Sequence, residues 1–260
     1  KVLIELGADV KIASTSGITP LHLAAQNAHV DIVRLLVLHG ADLNCQNCIG
    51  TAPVCVAAQG GHVEAVTVLI ELGADLNIAT TSGVASLYVA AQNGHVDVVR
   101  LLVLHGADLD CQGRLGSTPI YAASQEGHVE VVTVLAELGA DVNLPHETGA
   151  SPVYIAALKG RAEVVKVLVE HGADVNVPTA DGVTPVCVAS QRGHIAAVKA
   201  LTENGADPNI STDEHGSPIY VAALNGHVDV IRLLAEHGGD VNYADSLNLT
   251  PVHAAINEGH

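Results

Sequence analysis

The sequence predicts an all-α solenoid of stacked helix-turn-helix units, joined by loops that can form short β-hairpins. Three observations predict it. Gly-Ala-Asp stands at residues 7–9, 40–42, 73–75, 106–108, 139–141, 172–174 and 205–207, and Gly-Gly-Asp at 238–240, each step being 33 residues. The stretch NAHVDIVRLLVLHGADLNCQ at 27–46 returns as NGHVDVVRLLVLHGADLDCQ at 93–112, and a motif written twice at fixed spacing points to architecture. The chain is 48% hydrophobic yet has no Phe, Trp or Met and only five Tyr, so small aliphatic side chains must fill many thin layers.

The period divides the chain into full units 14–46, 47–79, 80–112, 113–145, 146–178, 179–211 and 212–244. Residues 1–13 read as the tail of one further unit and 245–260 as the front of another, so that 1–260 is expected to form a single array.

Within unit 14–46, Gly17 marks a tight turn. Thr19-Pro20 then opens a helix, with Thr as N-cap and Pro at the first position, where its missing N–H does no harm. Leu21, Ala24 and Ala25 share one face of this two-turn helix. Ala28-His29 breaks it. The other complete units have Gly-His there, except 146–178, and Gly suits a left-handed helix end. Val30 to Leu38 forms a second helix with Val30, Val33, Leu36 and Val37 on an apolar face. Gly40-Ala41-Asp42 ends it. A two-turn helix is marginal alone because nucleation is costly, so the units must stack to bury their faces.

Thr19-Pro20-Leu21-His22-Leu23-Ala24-Ala25, Gly94-His95 and Gly139-Ala140-Asp141-Val142-Asn143, at this period, resemble ankyrin repeats over essentially the whole chain. The resemblance implies antiparallel helix pairs, hairpins projecting at right angles, and a concave face that binds partners. Several positions depart from the family pattern. The His after Thr-Pro-Leu is kept at His22 and His253 but becomes Cys at 55 and 187, and Tyr at 88, 121, 154 and 220. That puts the family's hydrogen bonds between units in doubt at those positions. Ser86 replaces Pro, Arg161 replaces the His of Gly-His, and Ala28 replaces its Gly, at a cost of about 1 kcal/mol if the backbone is left-handed. In the last full unit the turn glycine is displaced to Gly216.

The net charge is −17 with eleven Lys and Arg, which offers no basic patch for nucleic acid. No apolar run reaches the length of a bilayer span, and residues 1–13 contain acidic residues and a turn, unlike a secretory leader. Five scattered Cys suggest no disulfide framework, so an intracellular, cytoplasmic setting is expected. Without any Met, the chain is expected to be a piece of a longer protein or a processed one.

Fifteen His raise the question of metal. Seven (29, 62, 95, 128, 194, 227 and 260) fill the Gly-His slot, and four (39, 105, 171 and 237) precede the Gly-Ala-Asp or Gly-Gly-Asp turn. Equivalent positions in neighbouring units would stack about 10 Å apart, too far for shared coordination. Their expected roles are helix-end hydrogen bonds and dipole complementarity. Cys45-x-x-Cys48, near Cys55, lacks a second pair at finger-like spacing. No phosphate loop or isolated nucleophile is present. No catalytic, metal or cofactor site is expected, and the function expected is a non-enzymatic protein-binding scaffold. The alternative is a targeting or regulatory module of a larger enzyme or channel.

The positions that vary between units lie at the hairpin tips and the outer side of the short helix, which in ankyrin proteins face the partner. They are Thr15, Ser16, Ile18, Gln26 and Asn27; Ile49, Thr51 and Gln59; Ser82, Val84, Gln92 and Asn93; Arg114, Leu115, Gln125 and Glu126; Glu147, Leu158 and Lys159; Asp181, Gln191 and Arg192; and Asp213, Glu214, Leu224 and Asn225. The first three tips are small and uncharged and the later ones carry charge. The expected partner is another protein, bound as an extended segment with an apolar and a basic part, besides other domains of the same chain. Neither nucleic acid nor membrane insertion is expected. The resemblance also implies possible hydroxylation of asparagines in the hairpin context, at Asn44, Asn77, Asn143 and Asn176, although Asn suits a tight turn for simpler reasons.

The units also alternate. Arg34 and Arg100 answer to Thr67 and Thr133, and His39 and His105 to Leu72 and Leu138, as duplication of a two-unit block would leave them.

Overall fold

The structure, a computed structural model, describes residues 2–211, 216–245 and 247–260. Sixteen α-helices stand among the described residues: α1 (Val2–Glu5), α2 (Pro20–Gln26), α3 (Val30–Leu38), α4 (Pro53–Gln59), α5 (Val63–Glu71), α6 (Ser86–Gln92), α7 (Val96–Leu104), α8 (Pro119–Glu126), α9 (Val129–Glu137), α10 (Pro152–Leu158), α11 (Ala162–Glu170), α12 (Pro185–Gln191), α13 (Ile195–Glu203), α14 (Pro218–Leu224), α15 (Val228–Glu236) and α16 (Pro251–Glu258). No strand occurs among the described residues, apart from an isolated bridge at Gly216. The expected hairpins are reduced to tight turns. In the first, the Ser14 N–H donates to the Ile18 carbonyl at 2.9 Å and the Gly17 N–H to the Ser14 carbonyl at 2.9 Å. Gly17 has φ 76, the left-handed backbone that the turn requires.

Contacts group the chain into two compact units, residues 1–122 with 138–140, and residues 123–137 with 141–260. In the first unit, short helices α2, α4 and α6 pack in sequence and the second helices α3, α5 and α7 pack in sequence in a row of their own. Each short helix also packs on the second helix that follows it. The second unit repeats this with α10, α12, α14 and α16 in one row and α9, α11, α13 and α15 in the other.

Sequence chemistry accounts for the helix boundaries. Thr19, Ser151, Thr184 and Ser217 accept the N–H three residues on, and Pro follows each of them. Ala52 and Ala85 cannot cap, and α4 and α6 begin without a side-chain cap bond. Where Pro is lost, Ser86 is fully buried and its hydroxyl donates to the Leu76 carbonyl at 2.7 Å, so the new side-chain polar atom is satisfied.

The core is aliphatic. Leu21, Leu69, Leu87 and Leu102 are fully buried in the first unit, and Leu135, Leu168, Leu201 and Leu234 in the second. Alanines at 24, 25, 57, 58, 90 and 91 let the short helices approach closely. Ala28 has φ 55, so the left-handed backbone expected at the Gly-His slot is present with an L side chain in it.

Candidate functional site

The repeated and the variable columns do different work. The repeated ones carry bonds that cross between helix pairs. His62 and His95 donate from Nε2 to the Gln26 and Gln59 carbonyls at 2.9 Å, and His194 and His227 to the Leu158 and Gln191 carbonyls at 3.2 and 3.1 Å. Arg161 stands in for this His, its Nε–H reaching the Gln125 carbonyl at 3.4 Å. His39, His105, His171 and His237 donate from Nδ1 to the carbonyl four residues back, at 2.8 to 2.9 Å, closing the ends of the second helices.

The asparagines of the Gly-Ala-Asp-x-Asn loops form a ladder. Asn44, Asn77, Asn143, Asn176 and Asn209 each accept, at Oδ1, the N–H of the Asp 31 residues on, at 2.8 to 3.0 Å. All but Asn44 also donate from Nδ2 to the Gly carbonyl 29 residues on, at 3.0 to 3.2 Å. The Asp at the head of each loop accepts the N–H two residues on, fixing the turn that aims the amide, as Asp141 does for Asn143 at 2.9 Å.

At the column where His becomes Cys or Tyr, the outcome varies. His22 keeps the bond between units, donating from Nε2 to the Thr51 carbonyl at 2.8 Å while Nδ1 accepts from Thr19. Tyr88 makes a different one, its hydroxyl lying 3.1 Å from Ser117 Oγ. Burial pushes the thiols of Cys55 and Cys187 up to about 12, which makes them inert packing groups at neutral pH. Burial, and then the charge of Asp108, does the same for Cys111. Burial also raises the Tyr154 hydroxyl, with smaller contributions from Cys187 and Asp181 in the same direction and Arg192 opposing. Cys48 is exposed, and Cys45 bonds to Thr19 Oγ1 at 3.4 Å. The described residues contain no group of three or more His, Cys, Asp or Glu placed to hold a metal.

The variable residues are all at least partly accessible wherever they are described. Thr15, Ser16, Gln26, Asn27, Ile49, Gln59, Ser82, Asn93, Arg114, Leu115, Glu126, Glu147, Lys159, Asp181, Gln191, Arg192 and Asn225 are exposed. Ile18, Thr51, Val84, Gln92, Gln125, Leu158 and Leu224 are half-buried. Asp213 and Glu214 lie outside the described residues. Three pairs of neighbouring tips are joined by a backbone bond: Cys48 N–H to Ser16 O, Thr81 N–H to Ile49 O, and Ala180 N–H to Thr148 O, each 3.0 Å. The packing of α2 on α4 and of α4 on α6 places the outer ends of these helices side by side, and α10, α12 and α14 do the same.

Some of these side chains are already engaged. The Nδ2 groups of Asn27, Asn93 and Asn225 donate to the carbonyls of Leu23, Val89 and Val221 at 2.7 to 2.8 Å, closing the ends of α2, α6 and α14. Leu224 helps to line a recess of about 290 Å³, with Tyr220, Leu249, His253, Ala254 and Asn257. Those five residues were not among the expected ones. Leu249 stands in the same column as Ile18, so the period marks it once the recess is known.

Charge is unevenly spread over the exposed positions. At the ends of α2, α4 and α6 stand Asn27, Gly60 and Asn93, while α10 and α12 end in Lys159 and Arg192. Glu147 and Asp181 are exposed on nearby tips.

The model of ankyrin repeats in three copies matches residues 1–80, 72–146, 143–212 and 187–260, and the chain belongs to the ankyrin repeat family. The crystal structure of the human ASB11 ankyrin repeat domain is similar, with a TM-score of 0.76 and 26% identity, over 86% of this chain and 99% of that one. In all, 619 solved chains match, so the fold by itself selects no particular partner. No curated protein matches. Ankyrin repeats are generally protein–protein interaction modules and are typically non-enzymatic. Among the described residues no helix is long and apolar enough to cross a membrane.

Proposed function

We propose that this chain is a non-enzymatic, cytoplasmic scaffold that binds a protein partner through its concave face, made by the hairpin tips and the outer ends of the short helices. One observation carries the reading. The side chains of the columns that repeat make bonds between units, and the columns that vary are accessible and enter such bonds mainly through their backbone. At Gln26, Gln59 and Gln191 the backbone carbonyl ties the stack while the side chain stays exposed.

The partner fits as an extended segment. Uncharged tips at Thr15, Ile49 and Ser82 suit its apolar part, and exposed Glu147 and Asp181 suit a basic part. Lys159 and Arg192 add a demand for carboxylates beside it. The asparagine ladder supports a structural role for Asn44, Asn77, Asn143 and Asn176, since their side chains bridge units. Hydroxylation of these residues would add one oxygen to the intact mass of the native protein.

The test is site-directed photo-crosslinking in cells with the full chain. A photoreactive residue in place of Gln59 or Gln191 captures a partner that one in place of Asp97, on the second helix α7, does not. Equal capture from all three positions would refute a concave-face partner.

A further inference from the structure

The tip at residues 113–117 departs from every other described tip. The others begin with a side chain that ties the loop: Ser14 Oγ, Asn47 Oδ1, Thr80 Oγ1, Thr179 Oγ1 and Asp245 Oδ1 each accept the N–H four residues on. In the sixth, His146 Nδ1 accepts the Thr148 N–H. Position 113 is Gly and cannot do this. A Cβ there would lie 3.0 Å from Cε2 of Tyr88, so a side chain would crowd that ring.

A different network holds this tip. The Tyr88 hydroxyl meets Ser117 Oγ at 3.1 Å, and Ser117 Oγ donates to the Arg114 carbonyl at 2.9 Å. The bond that joins neighbouring tips elsewhere, from residue 48 to 16 and from 81 to 49, has no counterpart between Arg114 and Ser82. A short 3-10 turn forms at Arg114–Gly116, and Leu115 takes φ 58, ψ 31. Its counterparts Ser16, Ile49, Ser82, Thr148 and Asp181 do not have positive φ. A leucine in the left-handed region costs about 1–2 kcal/mol, and it persists only where the surroundings over-determine it.

The strained residue is not buried in return. Leu115 is 50% exposed, and Arg114 beside it is exposed and makes no ion pair. Arg114 is the only cation on a described tip, in a chain of net charge −17. Gly, Asn or Asp would hold such a turn at lower cost. A rigid network therefore presents an apolar side chain and a cation outward together, the combination that makes a binding anchor.

We infer that Arg114-Leu115 is the anchor of the partner contact, with Leu115 entering an apolar pocket on a protein partner whose rim carries a carboxylate for Arg114. This rests on the concave-face reading and names the chemistry at one point of it.

Photoreactive residues in place of Gln59 and of Gln112, the latter beside the tip, capture the partner in cells, with Asp97 as the control position. The cross-linked segments are sequenced, and the purified partner is titrated against variants of the full chain. The segment captured at Gln112 carries apolar residues with Asp or Glu beside them. Leu115→Ala weakens binding at least tenfold. Arg114→Glu weakens it similarly, and most at low salt. Leu115→Gly loses binding while its thermal midpoint stays level or rises, because glycine accepts the left-handed backbone.

Capture at Gln59 with both Leu115→Ala and Arg114→Glu binding within twofold of wild type overturns the anchor and leaves the concave-face reading standing. Capture at neither position above the Asp97 control overturns both. A captured segment without a carboxylate, or a fall in the Leu115→Gly midpoint, also overturns the anchor.

Discussion

Asn176→Ala tests the asparagine ladder most directly. Asn176 Nδ2 donates to the Gly205 carbonyl at 3.0 Å, and its Oδ1 accepts the Asp207 N–H at 2.8 Å. Both partners belong to the next loop, so truncation removes two bonds that hold successive units in register. A neutral hydrogen bond contributes about 0.5–1.5 kcal/mol net. Asn176 is half-buried, and water can replace part of what is lost, so the expected cost is about 1–2 kcal/mol. Asn176→Asp keeps the acceptor and loses the donor, and should cost about half as much. The local readout is hydrogen exchange at the Asp207 amide, where that cost predicts exchange faster by about 5- to 30-fold. Urea unfolding followed by circular dichroism gives the global readout. Gln191→Ala, an exposed change in the next unit, should stay within about 0.5 kcal/mol. If Asn176→Ala leaves both the urea midpoint and Asp207 exchange at wild-type values, the ladder contributes nothing and the reasoning is wrong.

Other predictions follow from the same geometry. Ala28→Gly should stabilise the chain by about 0.5–1 kcal/mol, because φ 55 penalises an L side chain. The reverse change, Gly61→Ala, should destabilise by about 1–3 kcal/mol, since the backbone has φ +70 and the new Cβ would fall 2.6 Å from His95 Nδ1; paired urea melts check both signs. Leu201→Ala, at a fully buried site, should cost about 2–5 kcal/mol in the same melts, and a cost below 1 would contradict the packing described. Cys55, Cys111 and Cys187 are held near 12 against an ordinary value of 9.0, so the unfolded chain loses thiol protons before the folded one does. Their contribution is fully present below pH 9 and falls as pH rises towards 12, by up to about 1.4 kcal/mol per pH unit for each thiol. Cys187→Ala should therefore flatten the decline in urea midpoint above pH 9, and an unchanged slope would count against a buried thiol.

Much of the fold was legible because each unit carries its own punctuation. Pro20 and Pro53 mark the first turn of a short helix, Gly40 and Gly73 follow the end of a second one, and Leu21, Ala24 and Ala25 face inward as their spacing requires. The left-handed backbone at Ala28 was legible by comparison with Gly61 and Gly94 in the same column. The outward face was legible in coarser form. Variation between units marked Gln59 and Arg192 as accessible, but it also marked Asn27, Asn93 and Asn225, whose amides close helix ends. Such a bond runs to a carbonyl four residues back, and nothing in the residue type distinguishes it from an amide held out for a partner.

Bonds between units were harder to read. His22 keeps its link to Thr51, yet Tyr88 finds Ser117, and that choice depends on where the next tip stands. Leu115 shows the same limit. Gly113 and Gly116 around it are ordinary turn residues in the sequence, and nothing in them signals that the intervening leucine takes the left-handed backbone at φ 58 or that the Tyr88 ring comes close to Gly113. The sequence by itself determined the period, the helix pair and the apolar faces, because these follow from chain-local capping, turn chemistry and spacing. The tertiary structure alone decided which polar groups bridge units and which side chains remain free, because a hydrogen bond between residues some 30 positions apart depends on distance and angle that only stacking supplies.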